Sequence, residues 1–120
     1  MKIAVSTSGT TLGSPVDPRF GRAAGFLVVD LDSDETEYIE NTQNLRAAQG
    51  AGIQTAQNVA NTGAEVVLTG HCGPKAFRVL GSAGVALHVG AEGTVAEALA
   101  RFQTGDWEAS DGADVEGHWA

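Results

Sequence analysis

One short run carries more chemistry than any other stretch of the chain: His71-Cys72-Gly73-Pro74-Lys75. A cysteine just ahead of a helix start has its thiolate favoured by the helix dipole, so Cys72 is a candidate contact to a soft metal. His71 can donate or accept a hydrogen bond or bind a metal through its imidazole. A competing reading makes Cys72 a small apolar side chain used for packing, and both readings stay open here. A second run, Val16-Asp17-Pro18-Arg19-Phe20-Gly21-Arg22, carries two guanidinium groups close together. Guanidinium is suited to binding anions. Alternatively, Asp17 pairs with an arginine and merely orders the loop. Arg46 is a further cationic candidate, and its plainer role is that of a solvated surface side chain.

Glycine is dense in these same stretches. Gly9, Gly13, Gly21, Gly50, Gly52, Gly70 and Gly73 let backbone N–H groups turn towards a ligand. Helix starts near Gly50 and Gly73 add N–H groups and dipoles that favour negative charge. With Arg19, Arg22, Arg46 and Lys75 they make an anion cradle. The single cysteine excludes a disulfide framework and a four-thiolate metal site within one chain. His71, His88 and His118 lack metal-finger spacing. His88 lies in an expected strand and reads as structural, while His118 reads as part of a solvated end.

Two enzymatic outlines are weaker. His71-Cys72 followed by Arg78 resembles the phosphate loop of cysteine phosphatases. Those loops carry glycine where this chain has Lys75, and Arg78 falls on an expected helix. Asp30, Asp32 and Asp34 could hold a metal for nuclease chemistry, but Asp32 and Asp34 sit at a turn, where solvation explains them.

The elements that must position these residues follow from periodicity. Residues 2–7 alternate as a strand and stop at a Ser/Thr/Gly run. Residues 8–25 form a long loop, and loops of that length are usually functional. Strands follow at 26–31 and 36–41, then a polar loop to Gly50. Ile53, Ala56, Val59 and Ala60 have helical spacing, with Gly63 as the C-terminal cap. Residues 65–69 are a buried strand. Pro74 opens a helix with Ala76, Phe77 and Leu80 as its stripe. Residues 85–89 are a strand, and Thr94-Val95-Ala96-Glu97 is a capping box whose helix ends at Gly105. The order βββαβαβα predicts an α/β fold with a mixed five-stranded sheet and helices on its faces. The loops after the first, third, fourth and fifth strands then share one edge, the usual ligand edge of an open α/β sheet.

Composition bounds the rest. The chain has 120 residues, 42 % hydrophobic and 18 % charged, with a net charge of −8. One domain is expected over residues 1–105, followed by an acidic, loosely ordered tail at 106–120. The acidic balance disfavours nucleic acid. No apolar run has the roughly 20 residues that a bilayer span needs. The N-terminal stretch is too short for a signal-peptide core, and a cytoplasmic location is expected.

Three segments together carry a family resemblance: residues 14–22, Gln49-Gly50-Ala51-Gly52, and Thr69-Gly70-His71-Cys72-Gly73-Pro74-Lys75-Ala76-Phe77. In type and order they resemble the dinitrogenase iron–molybdenum cofactor-biosynthesis family over residues 1–105. The resemblance implies a ribonuclease H-like fold and noncovalent binding of a metal–sulfur cofactor, without catalysis. The cargo it implies is an anionic molybdenum–copper–sulfide cluster, or else the iron–molybdenum cofactor or a precursor. Carried onto this chain, the site comprises Arg19, Phe20, Gly21, Arg22, Arg46, Gly50, Gly52, Gly70, His71, Cys72, Gly73 and Lys75, with Cys72 and His71 as candidate metal contacts. An interaction module working with ATPase or cofactor-assembly partners is the alternative. A monomer or weak dimer is expected.

Overall fold

The computed structural model describes residues 1–41 and 51–112. Strand β1 (Lys2–Thr7) divides its side chains between two cores, with Ile3 and Val5 on one face and Ala4 on the other, as a two-residue period requires. β2 (Gly25–Asp30) runs antiparallel to β1, and β3 (Thr36–Glu40) antiparallel to β2. Helix α1 (Ala51–Asn61) then leads to β4 (Val66–Leu68), which lies parallel to β1. Helix α2 (Pro74–Ser82) leads to β5 (Ala86–His88), parallel to β4, and α3 (Val95–Gln103) follows.

The sheet order is β3-β2-β1-β4-β5, so the mixed five-stranded sheet and its element order match the expectation. β4 and β5 are shorter than the apolar runs that mark them, yet their flanks stay bonded: the Glu65 N–H donates to Lys2 and its carbonyl accepts from Ala86, while the Thr69 N–H donates to His88 and its carbonyl accepts from Ala91.

Helices α1 and α2 share one face, where Ala56, Val59, Ala76 and Leu80 pack on Ala4, Phe26, Val28 and Val67. Helix α3 covers the other, setting Val95, Ala98 and Leu99 on Ile3, Val5, Leu27 and Leu68. Full burial of a side chain such as Leu80 contributes about 2 kcal/mol. The capping box at the start of α3 is complete: Thr94 accepts from the Glu97 N–H at 3.1 Å, and the Glu97 carboxylate accepts from the Thr94 N–H at 2.9 Å. Gly63, at φ +84°, ends α1 as the sequence predicts.

The strands put the ends of β1, β4 and β5 at one rim, and the β2–β3 turn at the opposite end. There the Asp30 carboxylate accepts the Asp32 N–H at 2.9 Å, a bond that holds its pKa below the ordinary value. Asp32 pairs with the N-terminal amine at 2.6 Å. Asp30 and Asp32 thus serve the turn and its neighbour, far from the rim.

The expectation of a loose tail from residue 106 needs correction at its start. Trp107 is 9 % exposed and joins the α3 core. Its Nε1 donates to the Val89 carbonyl at 3.0 Å, the Arg101 guanidinium stacks on its ring at 3.9 Å, and the Ser110 N–H donates to Leu87 at 2.6 Å. Apolar area and an indole N–H with a partner outweigh the acidic residues around them. His118 and the rest of the tail, 113–120, lie outside the described residues.

This segment closes over His88, which is 6 % exposed and meets Phe102 and Trp107 edge-on at 5.2 and 5.5 Å. Its Nδ1 has no partner among the described residues. Burial, and less strongly Arg101, hold the imidazole below its ordinary pKa of 6.5. The unfolded chain therefore binds the proton first as pH falls, and stability declines below about pH 6.5. We expect the thermal midpoint to drop between about pH 7.5 and about pH 5.5, and to drop less in His88→Phe. An equal drop in that variant would assign the acid sensitivity elsewhere.

Candidate functional site

The rim is built around the long loop between β1 and β2. Left to itself, a 17-residue connection (8–24) would be expensive to order. Here buried hydroxyl groups tie it down. Ser6, Thr7 and Thr69 have no exposed surface. Ser6 Oγ donates to the Asp17 carbonyl at 2.7 Å and accepts from Thr69 Oγ1 at 2.8 Å. Thr7 Oγ1 donates to the Pro15 carbonyl at 2.8 Å. The Asp17 N–H donates to Ser6 at 2.8 Å, and the Val16 N–H donates to Gly93 at 2.9 Å. The loop thus crosses the strand ends from α3 towards α2.

Its far end is fixed by a second set of contacts. Arg19 and His71 form a parallel bridge, with the Phe20 N–H donating to the His71 carbonyl at 3.1 Å. Phe20 is fully buried, 5.2 Å edge-on from Phe26. The Gly21 carbonyl accepts from buried Thr55 of α1 at 3.3 Å and from Asn41 Nδ2 at 3.4 Å. Thr55 also donates to Asn41 Oδ1 at 3.1 Å. Residues 17–22, the loop 70–75 and the first turns of α1 therefore meet at one place. Gly70 is a point of close backbone approach, since a Cβ there would sit 2.6 Å from the Pro18 carbonyl oxygen and 2.7 Å from its Cα.

The candidate residues now divide. Arg19 is exposed, and Arg22, His71 and Lys75 are half-buried around the joined loops. The Asp17 carboxylate accepts the Arg19 backbone N–H at 3.0 Å and so shapes the turn through the main chain. Gly21, Gly70 and Gly73 are buried and contribute backbone. Gly73 is the N-cap of α2 and supplies no side-chain cap. Gly52 is half-buried in α1. Phe20 and Cys72 both lie inside the α1–α2 core. Cys72 has no exposed surface, and its Sγ lies 3.6 Å from the Gly73 carbonyl. Arg46 and Gly50 lie outside the described residues.

Chemically, the rim offers cations and amides rather than a ligand set. Among the described residues no group of three or more His, Cys, Asp and Glu could hold a metal ion. A phosphatase arrangement finds no support either. The Cys72 thiol is not accessible as a nucleophile, and Arg78 is exposed on α2, where its Nε donates to the Pro74 carbonyl at 3.5 Å. The sequence reading missed the hydroxyls Ser6, Thr7, Thr55 and Thr69 and the amide of Asn41. Their signal was polar residues at strand ends beside a long loop.

Comparison with known proteins finds a family and several relatives. Residues 1–105 match the family described as dinitrogenase iron–molybdenum cofactor. An uncharacterised protein of Methanocaldococcus jannaschii is 30 % identical over 111 residues, 90 % of each chain. The apo orange protein of Desulfovibrio gigas superposes with a TM-score of 0.91 at 44 % identity, covering 95 % of this chain and 96 % of that one. A Thermotoga protein provisionally assigned as a NifB protein superposes at 0.74 with 29 % identity, over 90 % and 91 % of the two chains.

The contact between Gly70 and Pro18 sets an expectation. Both sides of it are backbone held by hydrogen bonds, so Gly70→Ala must push the loop away and should cost about 1–3 kcal/mol in urea unfolding. Gly81→Ala, in α2 with nothing within 4 Å of the new methyl, should be neutral or stabilising by up to about 1 kcal/mol. Equal effects at the two positions would contradict the close approach.

Proposed function

The chain belongs to the dinitrogenase iron–molybdenum cofactor family, and on that premise we propose that it stores or carries an anionic molybdenum-containing metal–sulfur cluster, most specifically a molybdenum–copper–sulfide cluster, held noncovalently at the rim. The observation that carries this reading is the join between two loops. The Arg19–His71 bridge and the bond from the Phe20 N–H to His71 bring a guanidinium-bearing loop against the start of α2. Cation, imidazole and helix N-terminus then converge on a chain that is otherwise acidic.

Charge and hydrogen bonds, not thiolates, are the holding forces in this proposal. Sulfide ligands on a cluster are soft acceptors already bound to metal, so the protein need only meet their negative charge. Arg19 and Arg22 do this with directional N–H groups, and Lys75 as a point charge. Cys72 packs the loop from inside. Such a site binds and releases its cargo without turnover, so the protein acts as a carrier and not as an enzyme. Similarity to the orange protein supports the reading, and similarity to the Thermotoga protein favours a place in cofactor assembly. The strand order β3-β2-β1-β4-β5 supports a ribonuclease H-like assignment. Among the described residues no helix is long and apolar enough to cross a membrane, in keeping with a cytoplasmic carrier.

Reconstitution tests the proposal. Mixing the protein with tetrathiomolybdate and copper should give a coloured complex that survives gel filtration with both metals bound. Replacing Arg19 and Arg22 together by alanine should weaken retention by about tenfold or more, the loss of two charge-assisted contacts. Retention equal to wild type would remove the site from this rim, and absence of any coloured complex would remove the molybdenum–copper–sulfide cargo.

A second variant separates cradling from coordination. Cys72→Ala should keep both metals while lowering stability by about 1–2 kcal/mol, the cost of a small core truncation. Loss of copper alone would make Cys72 a ligand.

A further inference from the structure

The two outer strands of the sheet differ. Along β5 the C-terminal segment occupies the outer side, with Ser110 bonded to Leu87 and Trp107 to Val89. Along β3 the described residues place nothing. Register shows which groups this leaves facing outwards. The Asn41 N–H donates to Ala24 at 3.0 Å and the Asp30 N–H to Glu35 at 2.9 Å. Both pairs continue the β2–β3 register, in which Phe26 opposes Ile39 and Val28 opposes Glu37. Hydrogen-bonded pairs alternate in an antiparallel ladder. Residues 35, 37, 39 and 41 therefore turn their backbone groups to β2, and Thr36, Tyr38 and Glu40 turn theirs away from the sheet.

The side chains beside this edge are acidic. A groove of about 610 Å³ runs between β3 and the second half of α1, lined by Glu37, Ile39, Glu40, Asn58, Asn61 and Thr62. A second, of about 360 Å³, shares Glu37 with it and adds Glu35 and Asp30, with Lys2 as its one base. Ile39 gives the first groove an apolar floor on the α1–α2 core.

We propose that the outer edge of β3 is a docking strip for an extended basic segment of a partner protein, which joins the sheet as a sixth strand. Main-chain bonds to Thr36, Tyr38 and Glu40 would hold it in register. Alternate lysine or arginine side chains on the groove side would meet Glu37, with Glu35 and Glu40 at the two ends. Charge selects this occupant over a second copy of the chain. A second copy would bring its own Glu35, Glu37 and Glu40 to the same seam and so crowd like charges along it, which is unfavourable. The strip runs along the side of the sheet and is independent of the cluster reading, which concerns the rim.

Amide exchange measured by NMR on the full chain tests the proposal. The probe is a ten-residue peptide alternating lysine and valine, and the control is a peptide of the same charge interrupted by proline. At saturation the alternating peptide should slow exchange about tenfold or more at Thr36, Tyr38 and Glu40, and leave Glu35, Glu37 and Ile39 unchanged. Glu37→Gln with Glu40→Gln should weaken binding about fivefold at low salt. Thr36→Pro removes one outward N–H at the first residue of the strand, spares the β2 ladder, and should weaken binding while the rest of the amide spectrum is preserved. Equal binding of the control, binding without the alternating protection, or no binding at all would overturn the proposal. Protection of the same three amides in the protein alone, with a dimer in sedimentation, would assign the edge to a second copy instead.

Discussion

Every candidate contact at the rim depends on a loop that has little core of its own. Between Thr7 and Gly25 only Phe20, Gly21 and Ala23 are buried. What fixes the loop is a set of hydroxyl groups sealed beneath it at the strand ends. Buried hydroxyls are costly unless they are paired, and each of these is paired with loop backbone or with another hydroxyl. The arrangement transmits the rigidity of the sheet to the guanidinium-bearing turn. A backbone ordered in this way lowers the ordering that any ligand bound there would have to supply.

Much of this was legible in the sequence, and the limits have physical causes. Alternation and helical spacing located the elements because both reflect burial, and burial is what the sheet and its helices share. The common edge followed from element order alone. Phe20 and Cys72 were harder. Each stands beside cationic or polar neighbours in the chain, yet each side chain turns inward, and linear proximity does not report that direction. Trp107 shows the same difficulty in reverse: surrounded by acidic residues, it still packs in the core because its area and its indole N–H both find partners. The clasp of Ser6, Thr55 and Thr69 was not visible because its members are far apart in sequence and meet only once the sheet and α1 have formed.

Charge is also arranged by topology. The turn between β2 and β3 gathers Asp30, Asp32, Asp34 and Glu35 at one end of the sheet, while Arg19, Arg22 and Lys75 stand at the other. A net charge of −8 thus coexists with a grouping of cationic side chains near one end of the sheet. Helix starts reinforce that polarity, since α1 and α2 begin at the cationic end. Local placement, more than the overall sum, determines which ligands such a surface accepts.

The strap formed by residues 107–110 across β5 has a consequence for assembly. A sheet with two bare margins can add copies at both and grow into a fibre without limit. Here one margin is capped by the chain's own C-terminal segment. Among the described residues, strand pairing is therefore left to the β3 margin alone. That protection comes from a few residues that, by composition, resemble nothing more than an acidic stretch.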